Sequence, residues 1–189
     1  MNATDRSDLR FEWKTDEAFA FLTKMGFGQI EVLPTLVRYR RGDIEVDVYH
    51  GRQSYEIGAG IASCGIRYAM SEVICAIDPE VAKGYRNPVA RTPEGVAAAL
   101  EELSSLVKRY GTAALQGDPS FFTLLEEQRK EWSAKYALDV LVDQVRPQAH
   151  TAFRQGDYAR AAELYARIRS RLSPAEIKKL HLAEERSKR

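Results

Sequence analysis

Only two cysteines and three histidines occur among 189 residues, which leaves little material for a metal centre or a disulfide framework. Cys64 and Cys75 have no CxxC spacing and no neighbouring histidine. They read as reduced, buried thiols, with a single disulfide as the open alternative. His50, His150 and His181 are scattered along the chain, so no metal or catalytic cluster is expected. There is no P-loop, no GxGxxG after a strand and no GxSxG around Ser63 or Ser71. Gly58-Ala59-Gly60 lacks the helix start that a phosphate-binding turn requires. No catalytic residue and no cofactor is therefore expected. No run of 18 apolar residues exists, and the opening MNATDRSD has no apolar core of a signal peptide. The expectation is a cytoplasmic chain without a membrane segment.

What is present is an ordinary globular composition, 44% hydrophobic and 29% charged, enough for a sizeable core without covalent staples. Net charge is +1 but unevenly spread: residues 144–189 hold 11 Lys/Arg against 5 Asp/Glu, leaving 17 against 22 before them. The front of the chain is acidic and the end basic.

The most ordered pattern lies at 36–61, LVRYRRGDIEVDVYHGRQSYEIGAGI. Val37 and Tyr39, then Ile44, Val46 and Val48, then Tyr55, Ile57, Ala59 and Ile61 alternate as half-buried strands require. Two-residue turns at Arg41-Gly42 and Gly51-Arg52 fix a register in which Arg40 meets Asp43, Arg38 meets Glu45 and Asp47 meets Glu56. The last pair is like-charged, which suits a cation, a nearby Arg38 or a basic partner, while a solvated face is the plain alternative. Gly58 and Gly60 lie on the same polar face, where missing side chains permit close approach by a partner or by one of the protein's own helices. A leading strand at 27–33 makes four strands in an antiparallel meander, and Thr15 as N-cap with Gly26 as stop brackets a helix before it.

After residue 62 the period turns helical. Asp78-Pro79, Thr92-Pro93, Asp118-Pro119 and Ser173-Pro174 mark four helix starts, the last completed into a capping box by Glu176. Val96, Ala99, Leu100, Leu103, Leu106, Val107 and Tyr110 form a core stripe. Tyr85-Arg86-Asn87-Pro88 reads as a latch or contact loop. Phe121, Phe122, Leu125, Trp132, Tyr136 and Val140 read as a core stripe on a long helix. The fold class is α+β, with a sheet domain over 1–117 and a helical extension over 118–189.

Within 145–172, AFRQGDYARAAELYARI breaks one helix at Gly156-Asp157 and starts another, with alanines that allow close approach. This hairpin resembles a single tetratricopeptide repeat: Gly156 and Tyr158 match that family's turn glycine and following aromatic, Ala161 its packed small residue, Tyr165 the second-helix aromatic and Ala149 a small first-helix position. Ala152, Ile168 and Pro174 depart from the pattern. What the resemblance implies is protein–protein contact and no chemistry. One such unit needs a neighbouring helix or a partner to cover its face. The chain as a whole is similar to uncharacterised bacterial proteins that join a small α+β domain, with a phrase like VYHGRQSYEIG, to a GDYxxAxxLY hairpin; proteins of this build resemble immunity proteins encoded beside secreted toxins.

The functional expectation is a non-catalytic binding protein whose polar sheet face, through Arg38, Glu45, Asp47, His50, Arg52 and Glu56, meets another protein, a toxin being the implied case. The alternative is nucleic-acid binding by the basic end, through Arg154, Arg160, Arg167, Arg169, Arg171, Lys178, Lys179, Lys188 and Arg189.

Overall fold

A computed structural model describes residues 6–188; residues 1–5, part of the polar opening, and Arg189 of the basic set lie outside the described residues. The chain is α+β and divides into two compact units at 127/128 rather than at 117/118. The boundary falls late because Phe121, Phe122 and Leu125 belong to the core of the first unit.

In the first unit, a 3-10 turn at Arg6–Leu9 leads into α1 (Phe11–Ala18) and α2 (Ala20–Lys24). Leu9 closes the turn, Phe11 and Trp13 lie in α1, and Thr15 is not a cap but a buried residue inside α1. Gly26, with φ 87°, ends α2 as expected. Five antiparallel strands follow in simple meander order: β1 (Gly28–Leu33), β2 (Leu36–Arg41), β3 (Ile44–His50), β4 (Ile57–Ser63) and β5 (Ile66–Ala69). The sheet has five strands where four were expected. The additional one follows a tight turn in which Cys64, exposed rather than buried, takes φ 50° and Gly65 φ 81°. Both cysteines are free thiols.

The apolar face is as the alternation demanded. Val37, Tyr39, Val46, Val48, Ile57 and Ile61 are fully buried, each contributing about 1.5–3 kcal/mol by leaving water. Two corrections concern register. The β2–β3 turn is Gly42-Asp43, closed by Arg41 and Ile44, so Arg40 faces Glu45 and Arg38 faces Asp47. Gly42, with φ 58°, holds the turn position that needs it. The β3–β4 connection is longer than two residues. Tyr55, with φ 58°, donates its N–H to the Gly51 carbonyl, Gly51 donates to Glu56, and pairing resumes only at Ile57 opposite His50. At the outer border, β1 pairs with β2 through a register shift at Ile30.

α3 (Met70–Ile77) and α4 (Pro79–Gly84) come next, the latter capped by Asp78, whose side chain accepts from Val81 N–H at 3.0 Å. α5 (Pro93–Tyr110), capped by Thr92, lays Val96, Leu100, Leu103 and Val107 on β4 and α1. α6 (Thr112–Gln116) precedes the 37-residue α7 (Pro119–Gln155).

The second unit comprises the rest of α7, α8 (Tyr158–Arg167), a 3-10 turn at Arg169–Arg171 and α9 (Pro174–Ser187). Gly156, with φ 79°, ends α7. Asp157 caps α8 through Arg160 N–H at 3.0 Å. The small residues Ala149, Ala152 and Ala161 let α7 and α8 close together, and Leu180 and Ala183 of α9 complete a core with Val145, Leu164, Tyr165 and Ile168. The hairpin face is therefore covered within the chain. Trp132, Tyr136 and Val140 were expected in the core but are 47%, 73% and 37% exposed. Helical spacing alone does not reveal whether another element covers the stripe. No helix is long and apolar enough to cross a membrane among the described residues.

Candidate functional site

The face of the sheet opposite α5 is built strand by strand from the observed register. Three rows cross it: Leu33–Leu36–Tyr49–Gly58, then Glu31–Arg38–Asp47–Gly60–Ala69, then Gly28–Arg40–Glu45–Ala62–Arg67. Read along the strands, the charges form stripes of alternating sign: Glu31 on β1, Arg38 and Arg40 on β2, Glu45 and Asp47 on β3, and Arg67 on β5. β4 contributes no charged side chain to this face, only Gly58, Gly60 and Ala62.

The bare strand has a use. A Cβ on Gly60 would lie 2.5 Å from Arg67 Nε, and one on Gly58 would lie 2.5 Å from Tyr49 Oη. Both glycines are covered by the protein's own side chains. Arg67 lies across β4, donating from Nε and Nη2 to the two oxygens of Asp47 at 2.8 and 2.7 Å, a fork that a planar guanidinium makes well. Its Cζ sits 5.6 Å from the Tyr49 ring centre. On the neighbouring strands, Arg38 pairs with Glu31 at 2.8 Å and approaches Glu45 at 3.8 Å, while Arg40 grips Glu45.

At the end of the first row, Tyr85 donates to Asn87 Oδ1 at 2.9 Å and Asn87 donates to Tyr49 Oη at 3.1 Å. Burial, with Tyr49 and Glu102 nearby, pushes the Tyr85 phenol up to about 12, so it serves as a neutral donor. Pro88 accepts from Ile57 N–H at 2.8 Å and Ala90 donates to Tyr55 at 3.0 Å, fastening the loop beside β4. A cavity of about 230 Å³ opens there, bounded by Tyr49, Glu56, Tyr85, Arg86 and Asn87 among others.

The expected site residues thus fare differently. Arg38, Glu45 and Asp47 share the open face. Arg52 is exposed in the β3–β4 loop, and Glu56 is exposed at an isolated bridge to Val89. Glu56 does not face Asp47, whose strand partner is Gly60, because the longer loop delays re-pairing; the expected like-charged pair does not form. His50 is not part of a surface patch. Its side chain is buried, stacked on Phe11 at 5.6 Å with Tyr55 edge-on at 5.7 Å, and its Nε2 is 2.9 Å from the Ala90 carbonyl. Arg67 and Tyr49 were absent from the expected set, although the glycine pair at 58 and 60 marked where something approaches closely. Among the described residues, no group of three His, Cys, Asp or Glu is placed to hold a metal.

In the second unit, a further cluster joins Arg146, His150 and Glu176. Glu176 accepts from Ser173 N–H at 2.7 Å and meets Arg146 at 3.0 Å and His150 at 3.1 Å. Arg171 pairs with Asp139 and Arg160 with Glu163, each at 2.9 Å. Comparison of the chain with protein-family descriptions, with curated proteins and with solved structures finds no match in any of the three.

Proposed function

We propose that the chain is a non-catalytic protein-binding module, an immunity-like neutraliser or adaptor, that receives a partner protein on the open face of its sheet. The observation that carries this reading is the state of that face. Arg38, Arg40 and Arg67 keep 37%, 52% and 42% of their side chains exposed, and Leu33 remains 42% exposed. An apolar row, Leu33–Leu36–Tyr49, runs beside the ionised stripes, the arrangement of an interface core and its polar rim. Because the stripes are already paired with one another, their contribution is to register and discrimination more than to raw affinity. The α7–α8 hairpin, read as tetratricopeptide-like, supports a role in protein contact, and an immunity-like role places the chain in the cytoplasm.

Nucleic-acid binding is the second reading, and the second unit favours it less. Arg146, Arg160 and Arg171 are each committed to a carboxylate within the chain, which reduces the charge available to phosphates.

The test is site-specific crosslinking in cells that express the chain, with a photoreactive residue at Leu33 or, as control, at exposed Glu101 of α5. One co-expressed protein captured from Leu33 and not from Glu101, and lost in a folded Leu33→Asp, Arg38→Glu variant, supports the reading. Equal capture at both positions, or capture indifferent to the variant, overturns it.

A further inference from the structure

One side of β4 is only partly paired. β5 runs beside it as far as Gly60, opposite Ala69. From the other end, Ile57 N–H donates to the Pro88 carbonyl and Val89 bridges Glu56. Among the described residues no strand lies beside Gly58 or Ala59 on that side, and the cavity of about 230 Å³ opens in the space left there. Ala59 and Ala69 line it with methyl groups. It is smaller than the roughly 300–1,000 Å³ of a drug-sized site, so its occupant is small.

The charges around it are not spent on one another. Glu56 and Arg86 both line the cavity and both are exposed, yet the Glu56 carboxylate makes no hydrogen bond or ion pair among the described residues. Arg86 donates from Nη1 alone, to the carbonyls of Lys83 at 3.2 Å and Tyr85 at 2.6 Å. Its Nε and Nη2 donate to nothing among the described residues. Tyr49 Oη accepts from Asn87 at 3.1 Å and has no acceptor there for its own proton. The cavity thus offers one anionic acceptor and, apart from it, a guanidinium and a hydroxyl donor. A simple anion or cation satisfies one of these charges and is repelled by the other, whereas a small molecule carrying both signs satisfies the two at once.

We propose that this cavity binds a small α-amino acid as its zwitterion, the ammonium on Glu56 and the carboxylate on Arg86 and the Tyr49 hydroxyl. The planar fork of arginine suits a carboxylate, and the methyl groups of Ala59 and Ala69 leave room for a short apolar side chain.

Titration of the isotope-labelled full chain with L-alanine, followed by amide chemical shifts, tests this, with acetate and ethylammonium as probes that carry one charge each. The expected result is a saturable shift at the amides of Ala59 and Asn87, weakened about tenfold or more in Glu56→Gln and in Arg86→Gln, and little response to either single-charge probe. Both substituted positions are exposed, and circular dichroism checks that the variants fold; the location of the shifts in the unaltered chain reads the site without them. No saturation up to the solubility of L-alanine overturns the proposal, as do shifts confined to other parts of the chain or binding indifferent to both substitutions. Acetate or ethylammonium binding as tightly as L-alanine overturns the zwitterionic assignment.

Discussion

The Arg67 guanidinium lies on the backbone of Gly60, in the space that any side chain at position 60 would fill. From there it reaches Asp47 on the strand beyond. The ion pair therefore depends on a residue that takes no part in it.

Gly60→Ala should displace Arg67 and leave Asp47, only 13% exposed, without its fork, costing about 1–2 kcal/mol. In an Arg67→Ala background the same substitution should become neutral or stabilising, since glycine inside a strand costs roughly 0.5–1 kcal/mol against alanine. Urea unfolding of the four proteins in this cycle measures the reversal. Additive effects would show that Gly60 and Arg67 are not coupled.

His50→Ala should destabilise the first unit by about 2–4 kcal/mol, because it opens a cavity against Phe11 and removes the bond to Ala90. A binding residue on the surface would lower partner affinity and leave thermal stability unchanged. Calorimetry separates the two outcomes.

Acid should loosen the second unit. Burial pushes the Glu176 carboxyl up, but hydrogen bonds from Ser173 and His150 and the Arg146 charge outweigh it and hold the group at about 2, below its usual 4.5. A depressed carboxyl contributes stability that is fully present above pH 4.5 and is lost as pH falls towards about 2. Glu176→Gln should lower the melting temperature at neutral pH and flatten the decline between those values. A parallel decline in the wild-type chain and the variant would remove Glu176 as its cause.

Mixed DNA and RNA should show no gel shift with this chain at moderate salt. Any shift at low salt should vanish steeply as salt rises. Persistent retardation would turn attention to the basic helices.

The helical parts of the sequence were legible where caps announce them: Asp78, Thr92, Asp157 and Ser173 each begin a helix through a side-chain bond. The sheet was legible where one face is wet, as in β2 and β3. β4 was legible too, through Ile57, Ala59 and Ile61; β5 was not, because its four residues Ile66–Ala69 are too few to show a period. The register of the polar face failed with the turns, since Tyr55 adopts a left-handed conformation that its chemistry does not advertise. Arg67 was missed for the same reason: its strand was not foreseen, so nothing brought it to Asp47. Trp132 and Tyr136 were misplaced because periodicity shows that a helix has an apolar stripe and does not show what covers it.

The register shift at Ile30 carries a consequence for solubility. Ile30, Val32 and Leu33 leave the outermost strand greasy, 46%, 51% and 42% exposed, and a straight ribbon of that kind would invite stray strands to zip onto it. The extra residue twists the border out of line and spoils the ladder that a growing fibril would copy, so straightening β1 by deleting Ile30 should turn a dispersed protein into a precipitating one.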